Sequence, residues 1–324
     1  MIQMRNPQLL IAASLLLGLG FPLRAETLSL KEVAPGIFVH QGVHEVPDAK
    51  NRGEIANIGF VVGEHCVAVI DSGGSPDQGR ELRDAIAQKT RVPICYVINT
   101  HVHPDHIYGN QSFRLDGVRF VGHHKLAQAM ALRAPYYSDM AHRDLGITLT
   151  PEDFVPPDLP VQGTLELDLG GRTLELTAHP TAHTDNDLSI LDTKTRTLWL
   201  ADLLFMGHLP VIDGSLLGWL REIERLRQVQ ATQATQVIPG HGPVTADWPL
   251  ALTGEENYLK SLANEIRIAI QSNKTIEQAM NEVGQKNRPD WQLFDAFHKR
   301  NVAAAFAELE WEEESTHTPS GALP

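Results

Sequence analysis

Residues 100–106, Thr-His-Val-His-Pro-Asp-His, place four potential metal ligands within six positions. They directly follow residues 92–99, an apolar and β-branched stretch that predicts a buried strand. The four side chains therefore leave the end of a strand and enter a loop. Histidine and aspartate at this density are rare without a metal, so a metal site is favoured over a merely polar surface loop.

The spacing within this segment favours two metal ions over one. Alternate side chains of an extended backbone point the same way, so His101, His103 and Asp105 can face one side. Pro104 restricts the backbone, and His106 begins the turn away from the strand. A single ion cannot easily accept neighbouring Asp105 and His106 together with both other histidines. Two ions can accept all four side chains, with His101 and His103 on one ion and Asp105 and His106 on the other.

The first 25 residues have the layout of a secretory signal peptide. Arg5 precedes an apolar run at 9–19, and the small residue Ala25 ends the segment. The run is short for a membrane span, although an uncleaved anchor is the alternative interpretation. We expect export to the periplasm and no membrane attachment after cleavage.

The charge of the chain argues against two classes of partner. Removing residues 1–25 takes away two cations, Arg5 and Arg24, and no acid, so the net charge changes from −13 to −15. Without a run of lysine or arginine, such a chain is a poor candidate for binding nucleic acid or an anionic membrane. The mature length suits one large α/β domain, predicted at 26–250, with a helical extension at 251–311 and a disordered tail at 312–324.

The two cysteines, Cys66 and Cys95, each lie in an apolar, strand-like run. We interpret them as small core residues and predict neither a disulfide framework nor a metal-binding role for them.

Strand and helix patterns fall into two successive groups. Strands are predicted at 36–40, 58–62, 66–70, 92–99, 118–121, 164–169, 173–178, 188–191, 197–201 and 236–239. Helices are predicted from Ser75 onward and at 125–133, 216–228, 252–272, 275–284 and 292–311, while five prolines predict irregular structure at 134–160. Strand groups that are each followed by helices suggest two packed sheets with helices on the outer faces.

The ligand-rich segment resembles the H-x-H-x-D-H signature of the metallo-β-lactamase superfamily. Four further motifs of that family follow in the correct order over about residues 33–245. They are Asp71 in Val-Ile-Asp-Ser-Gly, His183 in Ala-His-Thr-Asp-Asn, Asp202 in Leu-Ala-Asp-Leu-Leu and His241 in Pro-Gly-His-Gly-Pro. The resemblance implies an α/β fold, an αββα sandwich, with a C-terminal helical extension.

The resemblance also implies a dinuclear site. One metal would be bound by His101, His103 and His183, and the other by Asp105, His106 and His241. Asp202 would bridge the two ions with a water, and Asp71 would orient ligands by hydrogen bonds. Nitrogen and oxygen donors suit two Zn²⁺, with iron or manganese also compatible. The implied reaction is attack on an ester, thioester or lactone carbonyl by a bridging hydroxide, with Asp105 and Asp202 as the catalytic carboxylates; no other cofactor-binding residue is predicted.

Finer features place the chain within the superfamily. Asp202 distinguishes it from the β-lactamases, which lack the bridging carboxylate, and resembles the glyoxalase II ligand set. Residues 51–59, 182–187 and 218–220 look most similar to the quinoprotein-associated (SoxH-like) zinc metallohydrolases. That resemblance implies a small-molecule substrate and a periplasmic quinoprotein dehydrogenase system as partner.

Three other functions stay open at this point. One is a mononuclear iron sulfur (persulfide) dioxygenase, with the iron on the matches to His101, His183 and Asp202. The others are a β-lactamase-type amide hydrolase and a non-catalytic accessory protein of a quinoprotein system. Strong activity on glutathione thioesters is not expected, because the cations of the C-terminal region are interspersed with acids. His40, His44 and His208 are candidates for the mouth of the pocket.

Overall fold

The computed structural model describes residues 28–229 and 233–312. The predicted signal peptide and all of the predicted tail except Glu312 lie outside these ranges, and the domain boundary at residue 250 stays a prediction. Within the described ranges, no helix is both long and apolar enough to cross a membrane.

The first sheet has seven strands whose order in space follows their order in the sequence. They are β1 (Lys31–Ala34), β2 (Ile37–His40), β3 (Ile58–Val62), β4 (Val67–Ile70), β5 (Ile94–Asn99), β6 (Arg119–His123) and β7 (Leu159–Val161). β1 to β4 pair antiparallel, whereas β4 to β7 are parallel. The parallel part brings the carboxyl ends of β4 and β5 to the same edge of the sheet.

The second sheet has six strands in the order β13-β12-β11-β10-β9-β8. They are β8 (Thr164–Asp168), β9 (Thr173–Ala178), β10 (Leu188–Asp192), β11 (Thr197–Phe205), β12 (Gln236–His241) and β13 (Ala246–Asp247). Only β11 and β12 pair in parallel. The long strand β11 and its parallel neighbour β12 carry two of the predicted ligands.

Seven α-helices cover the outer faces and the connections in the described ranges. They are α1 (Pro76–Lys89), α2 (Pro104–Ile107), α3 (Leu126–Met140), α4 (Leu216–Val229), α5 (Leu252–Gln271), α6 (Ile276–Glu282) and α7 (Phe294–Leu309). A π-helical turn, Ala141–Leu145, continues α3.

Three apolar layers hold these elements together. The inner faces of the two sheets meet in one core that includes Ile98, Leu176 and Trp199. α1 packs on the outer face of the first sheet, while α4, α5 and α7 pack on the outer face of the second. The predicted αββα sandwich with C-terminal helices is therefore confirmed, because each sheet buries its outer face under helices.

The region 134–160 is more regular than its prolines predict. α3 runs through Pro135 to Met140, so the helix is longer than the predicted 125–133. Tyr137 and Ala141 are buried in a core with Tyr108, and this packing outweighs the hydrogen bond that an internal proline removes.

The interpretation of the cysteines is wrong. Cys66 and Cys95 form a disulfide, with their Cα atoms 5.5 Å apart. Cys66 lies just before β4 and Cys95 lies in β5, and these parallel strands are neighbours. Strand pairing thus brings together two residues that are 29 positions apart in the sequence. A local apolar pattern carries no information about this proximity.

Candidate metal centre

The predicted ligands converge where strands of the two sheets end. Asp71 directly follows β4, and His101 lies two residues after the end of β5. The first sheet also contributes His103 just before α2 and two residues within that short helix. The second sheet contributes His183 from the connection between β9 and β10, Asp202 within β11 and His241 at the end of β12.

These side chains form two adjacent groups, each with ligand atoms within 4.8 Å of one another. The first group is His101, His103, His183 and Asp202, and the second is Asp105, His106 and His241. The structure thus brings all seven residues together and divides them between two groups as the sequence predicts, with Asp202 in the first group.

Asp202 reaches both groups, as a bridging carboxylate must. Its Oδ2 lies 3.4 Å from His183 Nε2 in the first group and 3.4 Å from His241 Nε2 in the second. Its Oδ1 lies 3.1 Å from His106 Nε2. Gly240 makes room for this carboxylate, because a Cβ there would lie 1.9 Å from Asp202 Oδ1.

Hydrogen bonds at the buried carboxylate of Asp71 fix the orientation of two histidine rings. His106 Nδ1 donates to Asp71 Oδ2 at 2.7 Å. Thr100 donates to the same carboxylate through its backbone N and its Oγ1, both at 2.8 Å. Since that hydroxyl proton is used, Thr100 Oγ1 accepts the 3.1 Å bond from His101 Nδ1. Asp71 therefore leaves the Nε2 lone pairs of both histidines directed into the site.

The other three histidines are fixed in the same way. His183 Nδ1 donates to the carbonyl of Val211 at 2.7 Å, and His241 Nδ1 donates to the carbonyl of Ile55 at 2.9 Å. The ring of His103 has the opposite orientation to the other four. Its Nε2 donates to Asp213 Oδ2 at 3.1 Å, and its Nδ1 faces the site. In all five histidines the outer nitrogen is therefore held by a hydrogen bond, and the other nitrogen is directed into the site.

The histidine nitrogens and carboxylate oxygens that face the interior of the site are placed where a cation could bind them. His103 Nδ1 and His183 Nε2 lie 3.0 Å apart, so two lone pairs would repel unless a positive charge lay between them. Among the described residues, His101 Nε2, His106 Nε2 and Asp202 Oδ1 are buried without a well-aligned hydrogen bond, although the last two atoms lie only 3.1 Å apart. Buried polar atoms rarely lack a partner. The residues present therefore fit a bound metal.

The buried carboxylates and some of the histidines of the site stabilise each other's charged forms. Burial alone would raise the pKa of Asp202, but His241, His106 and His101 hold it well below its usual range. Burial opposes protonation of His241, yet Asp202 and Asp105 raise its pKa to about 9. Burial, with His103 nearby, lowers the pKa of His183 to about 3. The carboxylates are thus charged at neutral pH and ready to bind cations.

A cavity of about 290 Å³ opens onto the ligands. The loop at 45–54 contributes Pro47 and Gly53 to its wall, and His208 also lines it, as anticipated. His40 and His44 are not among its lining residues. His208 donates from Nδ1 to the carbonyl of Leu209 at 2.7 Å, so its Nε2 is an acceptor.

Three residues beside the site were missed by the sequence analysis. Asp213 binds His103 and also receives hydrogen bonds from Arg133 and Arg300, and all three line the cavity. They come from a loop, from α3 and from α7, and no local pattern marks any of them. Only the packing of α3 and the C-terminal helices beside the cavity brings them together.

Comparison with known proteins agrees with this architecture. The family model described as "Metallo-beta-lactamase superfamily" matches residues 51–248. A metallo-beta-lactamase from Pontibacter korlensis is similar in structure, with a TM-score of 0.59 and 20% identity, covering 72% of this chain and 99% of that one.

A second similar structure extends into the C-terminal helices. The stereoselective inverting sec-alkylsulfatase from Pseudomonas sp. has a TM-score of 0.64 and 16% identity, and covers 92% of this chain. This chain spans about half of the sulfatase, 52% of its length. At such identities these likenesses show the shared fold.

Proposed function

This chain belongs to the metallo-beta-lactamase superfamily, and from that premise we propose that it is a dinuclear zinc hydrolase acting on an ester, thioester or lactone carbonyl. The observation that carries the proposal is the position of Asp202, whose Oδ2 lies within 3.4 Å of a histidine nitrogen in each ligand group. A mononuclear site would need only one of these groups. The seven donors are imidazole nitrogens and carboxylate oxygens, a set that suits zinc.

Two zinc ions held by these groups would lower the pKa of a water ligand toward about 7 and polarise a carbonyl oxygen. The chain's own residues prepare the site for that chemistry. Asp71, Asp213 and two backbone carbonyls hold the histidine rings in place before any metal arrives. Phe205 stacks on His241, with ring centroids 4.9 Å apart, and forms part of an apolar wall. Such preorganisation strengthens electrostatic catalysis.

An iron-dependent persulfide dioxygenase is the second candidate, with one iron on His101, His183 and Asp202. The complete second group of ligands favours the dinuclear hydrolase over it, and also over a non-catalytic accessory protein. The test is metal analysis of protein purified without added metal. About two zincs and no iron per chain is the expected result. One iron per chain, with oxygen consumption on persulfides, would establish the dioxygenase instead.

A substrate screen tests the reaction class. It should contain aryl esters, acyl thioesters, lactones and β-lactams, together with a secondary alkyl sulfate because of the sulfatase likeness. We expect the carbonyl esters or lactones to give the highest kcat/KM. Turnover confined to β-lactams would favour the amide hydrolase, and turnover confined to the alkyl sulfate would reject a carbonyl substrate.

Glutathione thioesters should be poor substrates. Most cations of the C-terminal helices are paired with nearby acids, which leaves few for a peptide carboxylate. These pairs are Lys260–Glu256, Arg267–Glu312, Lys274–Glu282, Lys286–Glu265 and Arg288–Asp295. Arg300 is also paired with an acid, Asp213, but it lines the cavity. A glutathione thioester with the highest kcat/KM in the screen would contradict this reading.

We further propose that the protein works in the periplasm, in association with a quinoprotein dehydrogenase system. The signal-like residues 1–25 support export. The Cys66–Cys95 disulfide supports it independently, since disulfides persist in oxidising compartments. Cell fractionation of the full-length chain, beside a variant lacking residues 1–25, tests the location. Equal cytoplasmic retention of both would reject it, and co-purification with a quinoprotein tests the partner.

A further inference from the structure

One wall of the cavity carries two arginines that share a single carboxylate. Arg133 donates to Asp213 Oδ2 at 3.1 Å, and Arg300 donates to Asp213 Oδ1 at 2.9 Å. Their side chains keep 30% and 55% exposure, whereas that of Asp213 keeps 23%. The carboxylate is therefore enclosed between the two guanidinium groups, which remain open to the cavity.

This wall has an excess of positive charge. Two cations balanced by Asp213 leave about one positive charge, and each guanidinium has five N–H donors, only some of which Asp213 can engage. The other acid on the rim, Asp144, is bound by Arg143 through two hydrogen bonds of 2.7 and 2.8 Å. The chain as a whole has a net charge of −13, so this positively charged wall differs in sign from the protein's overall charge.

The cationic wall lies close to the metal ligands. Asp213 is hydrogen-bonded through Oδ2 to His103 and through Oδ1 to Arg300, at 3.1 and 2.9 Å. The path from His103 Nδ1 to the guanidinium crosses only one imidazole ring, one carboxylate and these two bonds. Arg300 therefore lies at most about 10 Å from the ligand atom of His103, given ordinary hydrogen-bond lengths.

The remaining wall of the cavity is mainly apolar. It includes Tyr108, Tyr137, Met140, Leu145 and Phe297. A ligand that reaches from the metals to the arginines must therefore present apolar surface between two polar ends. Sites of this kind use a few placed polar groups to fix the orientation of an otherwise apolar ligand.

We propose that this cavity selects a compact anionic substrate, with a carboxylate or sulfo group held by Arg133 and Arg300 and the scissile carbonyl at the metals. The inference rests on the proposed hydrolase function and names its substrate class. An arginine fork binds a planar carboxylate through paired, charge-assisted hydrogen bonds. The anion and the carbonyl carbon would be separated by less than about 10 Å, the limit set by the hydrogen-bonded path.

The test compares matched substrates that differ in one charge. One pair is 4-acetoxybenzoate and its neutral methyl ester, with the anion on the leaving group. The other is mono-4-nitrophenyl adipate and 4-nitrophenyl hexanoate, with the anion on the acyl group. We expect the wild-type protein to favour the anionic member of at least one pair in kcat/KM.

The variants are Arg133→Gln and Arg300→Gln, which remove charge while keeping a donor of similar shape. Each should lower the anionic-to-neutral ratio of kcat/KM by about tenfold, since one charge-assisted hydrogen bond contributes roughly that much. Arg119→Gln is the matched control, because Arg119 is exposed, is paired with Asp158 and begins β6 at the opposite edge of the sheet. It should leave the ratio unchanged. Zinc content, measured in every variant, separates loss of metal from loss of anion binding.

A binding measurement separates this inference from the hydrolase proposal. Calorimetry with 4-hydroxybenzoate and its methyl ester reports anion recognition without turnover. If no ester is hydrolysed but 4-hydroxybenzoate binds about tenfold more weakly to Arg300→Gln than to wild type, the anion site stands and the hydrolase proposal fails. If the esters are hydrolysed and neither arginine variant changes the charge preference, the anion site is overturned. Equal binding by wild type and both variants also overturns it.

Discussion

Asp71 accepts a 2.7 Å hydrogen bond from His106 Nδ1, and both side chains are completely buried. Through Thr100 the same carboxylate also orients His101. One acid that does not line the cavity therefore sets the direction of a candidate ligand in each of the two groups. Asp71 has a left-handed backbone, with φ of 56°, a conformation that aspartate and asparagine tolerate better than most residues.

The Asp71→Asn variant should bind zinc about 10- to 100-fold more weakly, because groups that orient ligands typically contribute that much. Asparagine tolerates the same backbone, so the change removes charge without adding strain. Chelator competition measures the affinity, and Asp84→Asn, at an exposed position on α1, is the control. An affinity equal to that of wild type would show that Asp71 does not position the ligands.

The Asp202→Ala variant should lose turnover by more than about 100-fold, beyond the range expected of a residue that only orients a ligand. Asp202 is the carboxylate that reaches both groups, so zinc content should fall from two toward one per chain. The metal-free variant should also lose some stability, because the buried histidines that surround Asp202 lose a charged partner. Full turnover with two bound zincs would reject the bridging assignment.

Zinc binding should release protons and weaken as the pH falls below about 9. Asp202 and Asp105 raise the pKa of His241 to about 9 in the metal-free protein, so this histidine is protonated at neutral pH. A metal must displace that proton to bind the nitrogen. Calorimetry at pH 7 in buffers of different ionisation enthalpy measures the release. A zinc affinity that is the same at pH 6.5 and pH 9 would contradict the expectation.

Replacing both cysteines by serine should lower stability by about 2–4 kcal/mol, the usual contribution of a disulfide that closes a loop of this size. The bond joins the amino-terminal ends of β4 and β5, whereas the ligands leave their carboxyl ends. Zinc content should therefore be unchanged. Reduced and oxidised wild-type protein with the same melting temperature would indicate that the disulfide does not stabilise the fold.

The Arg172→Ala variant should lose about 3–5 kcal/mol at pH 7, because it leaves a buried carboxylate unpaired. Arg172 binds both oxygens of Asp192 at 2.8 and 2.9 Å and also donates to the carbonyls of Pro35 and Val62, so it ties the second sheet to the first. Urea unfolding measures the loss.

The pH dependence of that loss gives a second check. Burial opposes ionisation of Asp192, but Arg172 and Thr195 hold its pKa below the ordinary value. The wild-type pair therefore stabilises the fold above the unfolded pKa of about 3.9, and this contribution disappears as the pH falls through the lower folded pKa. Without the arginine, burial favours the neutral form of Asp192. The loss of stability caused by Arg172→Ala should therefore become smaller as the pH falls. A loss of stability that becomes larger as the pH is lowered from 7 to 4 would contradict this expectation.

The sequence by itself determined the features that depend on local order. Alternation and turn residues located the hairpin of β8 and β9, and the motif around His101 and His103 located the ligands at a strand end. These succeed because strand periodicity and short-range spacing follow directly from backbone geometry. The resemblance to a known superfamily then supplied the distant candidate ligands His183, Asp202 and His241, which no local pattern distinguishes from ordinary residues.

Tertiary structure alone decided the relationships between distant segments. The disulfide exists because β4 and β5 pair in parallel, and α3 continues past Pro135 because its far end is buried. Asp213 binds His103 and two arginines only because a loop, α3 and α7 pack around one cavity. Such contacts depend on how whole elements pack, which the spacing of residues along the chain does not encode.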